Sequence, residues 1–283
     1  MKRIKILHGA PMVLRSLAAV VVAVALWEGI VVTFHIPPYV IPTPLNAAKY
    51  VFDNWSTIQP LFLQTLKEIC LGFCVGVVAG LILAVLMSEV RLFHTIVYPL
   101  LIATQATPII AIAPPLVIIM GFGITPKLTI VGLIVFFPVI INVLSGLNSV
   151  DADVLALCKS IGTSRLRLLL LVKLPSSLVP LGAALRIGAT YAVTGAVIGE
   201  WTATTTPGLG NDILNQQSAL NTPAVFGEVL ILTGIGIAGF LLMSGVERLI
   251  TPWRRRAQAR GLLQSRYRRH VGESLSTTAG ISV

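Results

Sequence analysis

The chain has 283 residues, of which 55% are hydrophobic and only 11% charged, against about 25% charged in an ordinary soluble domain. A mean hydropathy of +0.88 excludes a soluble globular fold, because a soluble chain of this length must still cover its surface with polar groups. The net charge of +10 is concentrated at the two ends and in one middle loop, beside apolar segments, which excludes nucleic-acid binding as its meaning and indicates membrane topology.

The apolar runs are continuous and about 20 residues long, unlike the ~10-residue alternating strands of a membrane barrel. The expected fold is therefore all-α, a polytopic membrane protein with about six transmembrane helices. A basic segment at 1–12 carries Lys2, Arg3 and Lys5, and the first span is predicted over 13–34. A signal peptide also begins with positive charge. Here the apolar run continues past Trp27 and Glu28 and further spans follow, which reads as an uncleaved helix. Residues 35–60 contain Pro37, Pro38, Pro42 and Pro44 and are expected to form an extended external loop leading into a short helix.

The core region, 61–250, holds the other five predicted spans. The second, over 61–87, carries Gly72, Gly76 and Gly80 on one face, where a neighbouring helix can approach closely. Cys70 and Cys74 lie one turn apart in the same run and read as small packing residues; with Cys158 they form no disulfide framework. The third span, over 97–120, contains Pro99, Pro108, Pro114 and Pro115 and must be kinked or broken. Irregular backbone at membrane depth is tolerated only against protein or a water-filled cavity, so Gln105, Thr107 and Pro108 are candidates for the translocation pathway. The fourth span is predicted over 128–147, the fifth over 174–198 and the sixth over 226–250, before a basic tail at 251–283.

Between the fourth and fifth spans, residues 151–162 suit a short surface helix. Asp151 and Asp153 lead, Val154, Leu155, Leu157 and Ile161 supply apolar positions, Lys159 comes late and Gly162 follows. Such a helix is roughly 16 Å long, too short to cross a bilayer. Six spans place both termini on one side, and seventeen of the 21 Lys and Arg then fall on that side. The expected placement is a bacterial inner membrane with both termini and the 151–162 helix cytoplasmic.

Ionisable groups near lipid mark function more often than ornament. Glu200 and Trp201, at the outer end of the fifth span, are candidates for a gate or a binding-protein contact, or else a solvated helix end. Arg186, midway along that span, either faces the bundle interior or pairs. Lys67 and Glu68 are expected at the outer interface, and Glu228 at the positive start of the sixth helix.

The cytoplasmic element resembles the EAA loop of the membrane subunits of ABC importers, a pattern of Glu-Ala-Ala, three residues, Gly, nine residues and Ile-x-Leu-Pro. Ala156, Leu157 and Cys158 occupy the triplet, and Gly162, Val172, Leu174 and Pro175 fall in register. Ala156 stands where the family has glutamate, so an ion pair from that position is not expected here. Further stretches resemble the nitrate, sulfonate and taurine branch of type I permeases and its pyrimidine and riboflavin relatives. They are Pro37–Pro44, Ala113-Pro-Pro-Leu with Gly121-Phe-Gly, Phe136-Phe-Pro-Val, and Gly199-Glu-Trp followed by Gly208-Leu-Gly. The resemblance implies a homodimer of permease subunits, two cytoplasmic ATP-binding subunits docked on the 151–162 helix, and an external solute-binding protein.

The docking residues so implied are Ala156, Leu157, Cys158, Lys159, Gly162, Arg165, Leu174 and Pro175. Lys159, Arg165 and Arg167 can pair either with acidic groups of the ATPase or with anionic lipid. The chain has no G-x-x-x-x-G-K-[ST] phosphate loop, so ATP and Mg are expected on the partner ATPase, with no cofactor and no metal bound by this chain. The expected function is a permease subunit, not an enzyme, that passes a small solute: a pyrimidine thiamine precursor, riboflavin, or a sulfonate or nitrate anion. A neutral heteroaromatic solute is favoured because Arg186 alone among basic residues is expected in the path. An ion-gradient-driven secondary transporter is the alternative, disfavoured by the lack of an internal repeat. A membrane-embedded enzyme is disfavoured because no catalytic constellation is visible.

Overall fold

The computed structural model describes residues 12–203 and 206–252. The expected basic tail, and the 1–12 segment before Met12, lie outside the described residues apart from Thr251 and Pro252. Among the described residues there are eleven α-helices and no strand. In chain order they are α1 (Met12–Thr33), α2 (Pro44–Asp53), α3 (Trp55–Glu89), α4 (Arg91–Gln105), α5 (Ile109–Met120) and α6 (Ile124–Asn148). There follow α7 (Ala152–Ser160), α8 (Arg165–Leu168), a π-helical turn over Leu169–Lys173, α9 (Leu174–Thr202), α10 (Leu209–Ser218) and α11 (Thr222–Ile250).

Four of these are long and apolar enough to cross a membrane: α3, α6, α11 and the continuous path from Arg165 to Thr202. The pair α4 and α5, bent by 106° at its break, makes a fifth. The six predicted spans coincide in position with α1, α3, the α4–α5 pair, α6, α9 and α11. Their boundaries needed correction. α3 begins at Trp55 and takes in Pro60 as its sixth residue, so one bond of the helical ladder near its start is missing. Residues 35–60 are accordingly part loop and part helix. The N-cap is Thr43, whose Oγ1 accepts from Asn46 N at 3.2 Å, and Pro44 opens α2.

α6 is the central column, and its valines explain why. Val131, Val135, Val139 and Val143 recur every four residues and are all fully buried, forming a ridge. The predicted glycine face of α3 meets it. A Cβ on Gly72 would fall 2.5 Å from Val131 Cβ, one on Gly76 2.5 Å from the Gly132 carbonyl oxygen, and one on Gly80 2.8 Å from Val139 Cγ1. α9 approaches α6 as closely: Cβ atoms on Gly146, Gly195 and Gly199 would fall 2.7–3.1 Å from backbone atoms of Ser177, Val131 and Lys127. The small-residue contact lets backbones touch where lipid provides no hydrophobic drive. Gly76→Leu is therefore expected to lower the melting temperature of the purified protein through overpacking of about 1–3 kcal/mol or more. An unchanged melting temperature would show that α3 and α6 do not meet here.

Cys70 and Cys74 correct their prediction. Both are exposed, because the glycines rather than the cysteines occupy the face of α3 that turns to α6. They line an apolar groove of about 800 Å³ between α3 and α11.

Candidate functional site

Three places in the bundle carry chemistry. The first is the connection between α6 and α9. Asp151 caps α7, accepting from Asp153 N at 2.9 Å, and the helix dipole finds Asp153 at its start and Lys159 at its end. At the far end Gly162 adopts φ +75°. Gly162 N donates to Lys159 O at 3.0 Å and Thr163 N to Cys158 O at 3.0 Å, the paired bonds of a Schellman stop. The predicted 151–162 helix is thus Ala152–Ser160 with both caps resolved. No residue of α7 is buried. Val154, Leu157 (63% exposed) and Ile161 (72%) point away from the bundle.

Ala156, Lys159, Gly162 and Arg165 share this exposed surface, with Cys158 half-buried. Leu174 does not: it packs against the core cluster beneath α6. Pro175 is exposed and follows directly on the π turn, so its missing N–H falls where the α-helical ladder is already interrupted. Helical backbone runs unbroken from Arg165 through the π turn. That turn is anchored on both sides. Lys173 Nζ bonds Glu89 Oε1 of α3 at 2.7 Å, and Ser176 Oγ donates to Gly146 O of α6 at 2.9 Å.

The second place is the α4–α5 break. Gln105 ends α4, and Thr107 and Pro108 form the link, with all three exposed. The prolines act as predicted, since Pro108 opens α5 with an extended backbone (ψ 122°). α4 buries no residue at all.

The third place, at the opposite end of the bundle from α7, overturns several expectations. Glu200 is not a solvated helix end: it is fully buried. Its Oε1 accepts from Thr65 Oγ1 at 2.6 Å and its Oε2 from Asn211 N at 3.2 Å. Thr65 Oγ1 in turn accepts from Leu209 N at 2.9 Å. At Gly208 this carboxylate fills the space a side chain would take, and at Gly210 a Cβ would fall 2.9 Å from Val197 Cα and 3.1 Å from Glu200 Oε2. Trp201 stays partly exposed, and its Nε1 donates to Gly210 O at 2.8 Å. The Gly199-Glu-Trp and Gly208-Leu-Gly stretches therefore build one knot, with the carboxylate of one holding the backbone of the other.

Of Lys67 and Glu68, expected at the outer interface, Lys67 is exposed, whereas Glu68 is fully buried and pairs with the equally buried Lys127 at 2.9 Å. Lys127 Nζ also donates to Thr206 O at 2.5 Å, and Gln64 Nε2 donates to Glu68 Oε1 at 2.7 Å. The network ties α3, α6 and α9 to the segment leading into α10. Glu228 lies in the second turn of α11, not the first, and is fully buried. Neither of its carboxylate oxygens meets a donor among the described residues. Nearby on α2, burial pushes the Tyr50 hydroxyl above its ordinary value, reinforced by the Glu228 and Asp212 carboxylates. Sequence reasoning missed α10, whose ten residues are too few and too polar for an apolar period, and it missed Lys127. A lysine three residues into an apolar run, with a glutamate inside another, was the available signal.

Comparison with known proteins completes the description. Residues 76–256 match the family described as binding-protein-dependent transport system inner membrane component. A probable ABC transporter permease protein of Haemophilus influenzae is 34% identical over 79% of this chain and 91% of the relative. The formylaminopyrimidine transport permease protein ThiX of Halalkalibacterium halodurans is 32% identical over 77% of this chain and 88% of that protein. The riboflavin transport system permease protein RibX of Chloroflexus aurantiacus is 29% identical over 80% and 85%, respectively.

Proposed function

The chain belongs to the family of inner membrane components of binding-protein-dependent transport systems, and from that premise we propose that it is a homodimeric permease whose α7 docks in a cytoplasmic ATP-binding subunit. As a member it is a transport component of an ABC importer and not the ATPase. The observation that carries the docking assignment is α7 itself. It is a rod of nine residues, capped at both ends, that turns Val154, Leu157 and Ile161 away from its own bundle.

The rest of the proposal follows from how that rod is mounted. α7 hangs between α6 and the π turn leading into α9, and those two helices are locked by Ser176 on Gly146 and by their glycine contacts. A movement of the ATPase groove would tilt α6 and α9 together, with α3 following through Glu89 and Lys173. Ala156 offers shape without charge, so recognition rests on Leu157 and its neighbours, supported by Lys159 and Arg165. In this arrangement the N- and C-termini are cytoplasmic in a bacterial inner membrane. The Glu200 knot lies at the outer face, where an external binding protein delivers solute, and ATP and Mg belong to the partner. Gln105, Thr107 and Pro108, exposed in one copy, face the second copy and the water between them. The solute is a neutral heteroaromatic of the pyrimidine or riboflavin kind, consistent with relatives named for such substrates.

The test is uptake into proteoliposomes, using labelled formylaminopyrimidine and riboflavin, with the permease reconstituted alone or with its ATP-binding subunit and binding protein. Uptake that requires all components and ATP is expected. Uptake by the permease alone under an ion gradient would overturn the proposal in favour of a secondary transporter.

A further inference from the structure

α9 is the most enclosed long helix after α6, and apart from Leu185 and Glu200 its buried positions are small, among them Gly182, Ala184, Gly188, Ala192 and Gly195. Through its middle it is exposed only at Ile187, Thr190, Tyr191 and Thr194. Those positions are spaced i, i+3, i+4 and i+7 and form one stripe. Three of the four carry a hydroxyl. The contrast with the outward stripe of α3 is sharp, since Leu71, Val75, Val78, Ile82 and Leu86 are all aliphatic, as a lipid contact requires.

Beside the α9 stripe, across from α11, lies a groove of about 500 Å³ lined by Thr190, Val193, Thr194, Thr233 and Phe240 among others. That volume is within the ~300–1,000 Å³ range of small-molecule sites. One turn below Thr190, toward α7, Arg186 pairs with Glu247 at 2.7 Å while its side chain remains 30% exposed. A partly open charge pair at mid-helix is expensive against hydrocarbon and natural beside water. It is an observation independent of the hydroxyls, and it points the same way.

We propose that Thr190, Tyr191 and Thr194 of α9, with Thr233 of α11, form the solute-contacting wall of the translocation pathway, fitted to an uncharged, planar solute that brings its own hydrogen-bond donors. The assignment rests on the permease reading and deepens it. Solute charge is excluded because Glu247 already neutralises Arg186. Solute donors suit Thr190 and Thr233, which already give their hydroxyl protons to Arg186 O at 3.2 Å and Val229 O at 2.8 Å, leaving lone pairs to accept. The faces of Tyr191 (53% exposed) and Phe240 offer a stacking surface for a ring. The Arg186–Glu247 pair then lies one turn from this wall on the side toward α7.

The experiment uses the assembled transporter in proteoliposomes, with Cys70 and Cys74 replaced by alanine and Cys158 of the docking helix retained, its own reaction rate measured in that parent and subtracted. Single cysteines are placed at Thr190, Thr194 and Thr233, and at Val78 and Ile82 as lipid-facing controls. A positively charged, membrane-impermeant methanethiosulfonate is applied from both sides. Only a hydrated thiol ionises to the reactive thiolate, and each unit of pKa is a tenfold change, so the wall positions are expected to react about tenfold faster than the controls or more. Their modification should also stop ATP-driven uptake. Rates equal to the controls would mean lipid or a tightly packed second copy covers the stripe, and would overturn the wall assignment while ATP-driven uptake by the Val78 and Ile82 control variants left the permease reading standing. An unsubstituted chain that showed no ATP-driven uptake with its ATP-binding subunit and binding protein would instead sink the permease reading, and this assignment with it.

Discussion

Lys127→Met is expected to destabilise the protein by about 3–5 kcal/mol, the usual consequence of removing one partner of a buried ion pair. The Lys127 ammonium is fully buried and has three oxygen contacts: the Glu68 carboxylate and both the carbonyl and hydroxyl oxygens of Thr206. Methionine fills the same volume but leaves Glu68 with Gln64 as its one donor among the described residues. The segment before α10 also loses its tether, and the bonds of Leu209 N to Thr65 and Asn211 N to Glu200 are left to hold the start of α10. The readout is the melting temperature of the purified protein together with its yield. The double variant Lys127→Met/Glu68→Leu removes both charges and should recover much of the loss, because an apolar pair of similar size commonly replaces a buried ion pair at little cost. If the single and double variants melted at the same reduced temperature, the pair would contribute only volume.

Gly162→Pro is expected to abolish ATP-driven uptake and co-purification of the ATP-binding subunit while leaving the melting temperature of the bundle unchanged. Gly162 holds φ at +75°, whereas proline is confined near −65°. Proline also removes the N–H that donates to Lys159 O. The Schellman stop is lost and α7 is re-aimed. Nothing lies within 4 Å of a Cβ built at this glycine, so the effect is conformational and not steric, and it can be graded. Gly162→Asn should retain most coupling, since asparagine tolerates the left-handed region, and Gly162→Ala should lie between, at a strain of about 1 kcal/mol. Equal coupling in all three variants would remove the stop from the mechanism.

How far the sequence discloses this arrangement depends on the range of the interaction. The stop at Gly162, the break at Pro108 and the glycine face of α3 are local or periodic features, and the structure places all three as their spacing predicts. The partner of that glycine face was also implicit, because Val131 to Val143 recur at the same period of four. The outer network was not legible. Thr65 and Glu200 are 135 residues apart and Lys127 and Glu68 are 59 apart, and no periodicity links a threonine to a distant carboxylate. Glu200 therefore reads from sequence as a helix end facing water, and only the packing of α3 and α10 over it reveals a buried acceptor. Arg186 could be narrowed to facing inward or pairing, and the choice of Glu247 came from the crossing of α9 and α11. The Thr190–Thr194 stripe escaped notice for a further reason. In an apolar run, threonines look like packing residues until the helix around them proves closed everywhere else.

The account stands on α7 as the handle through which an ATPase moves the bundle. The direct measurement is site-specific photo-cross-linking from a photoreactive residue substituted at Leu157, in membranes containing the whole transporter. The account predicts a single adduct with the ATP-binding subunit, formed from the cytoplasmic side and absent when the photoreactive residue replaces Val78 on the lipid face of α3. Adducts confined to lipid, or an adduct with the external binding protein, would contradict it.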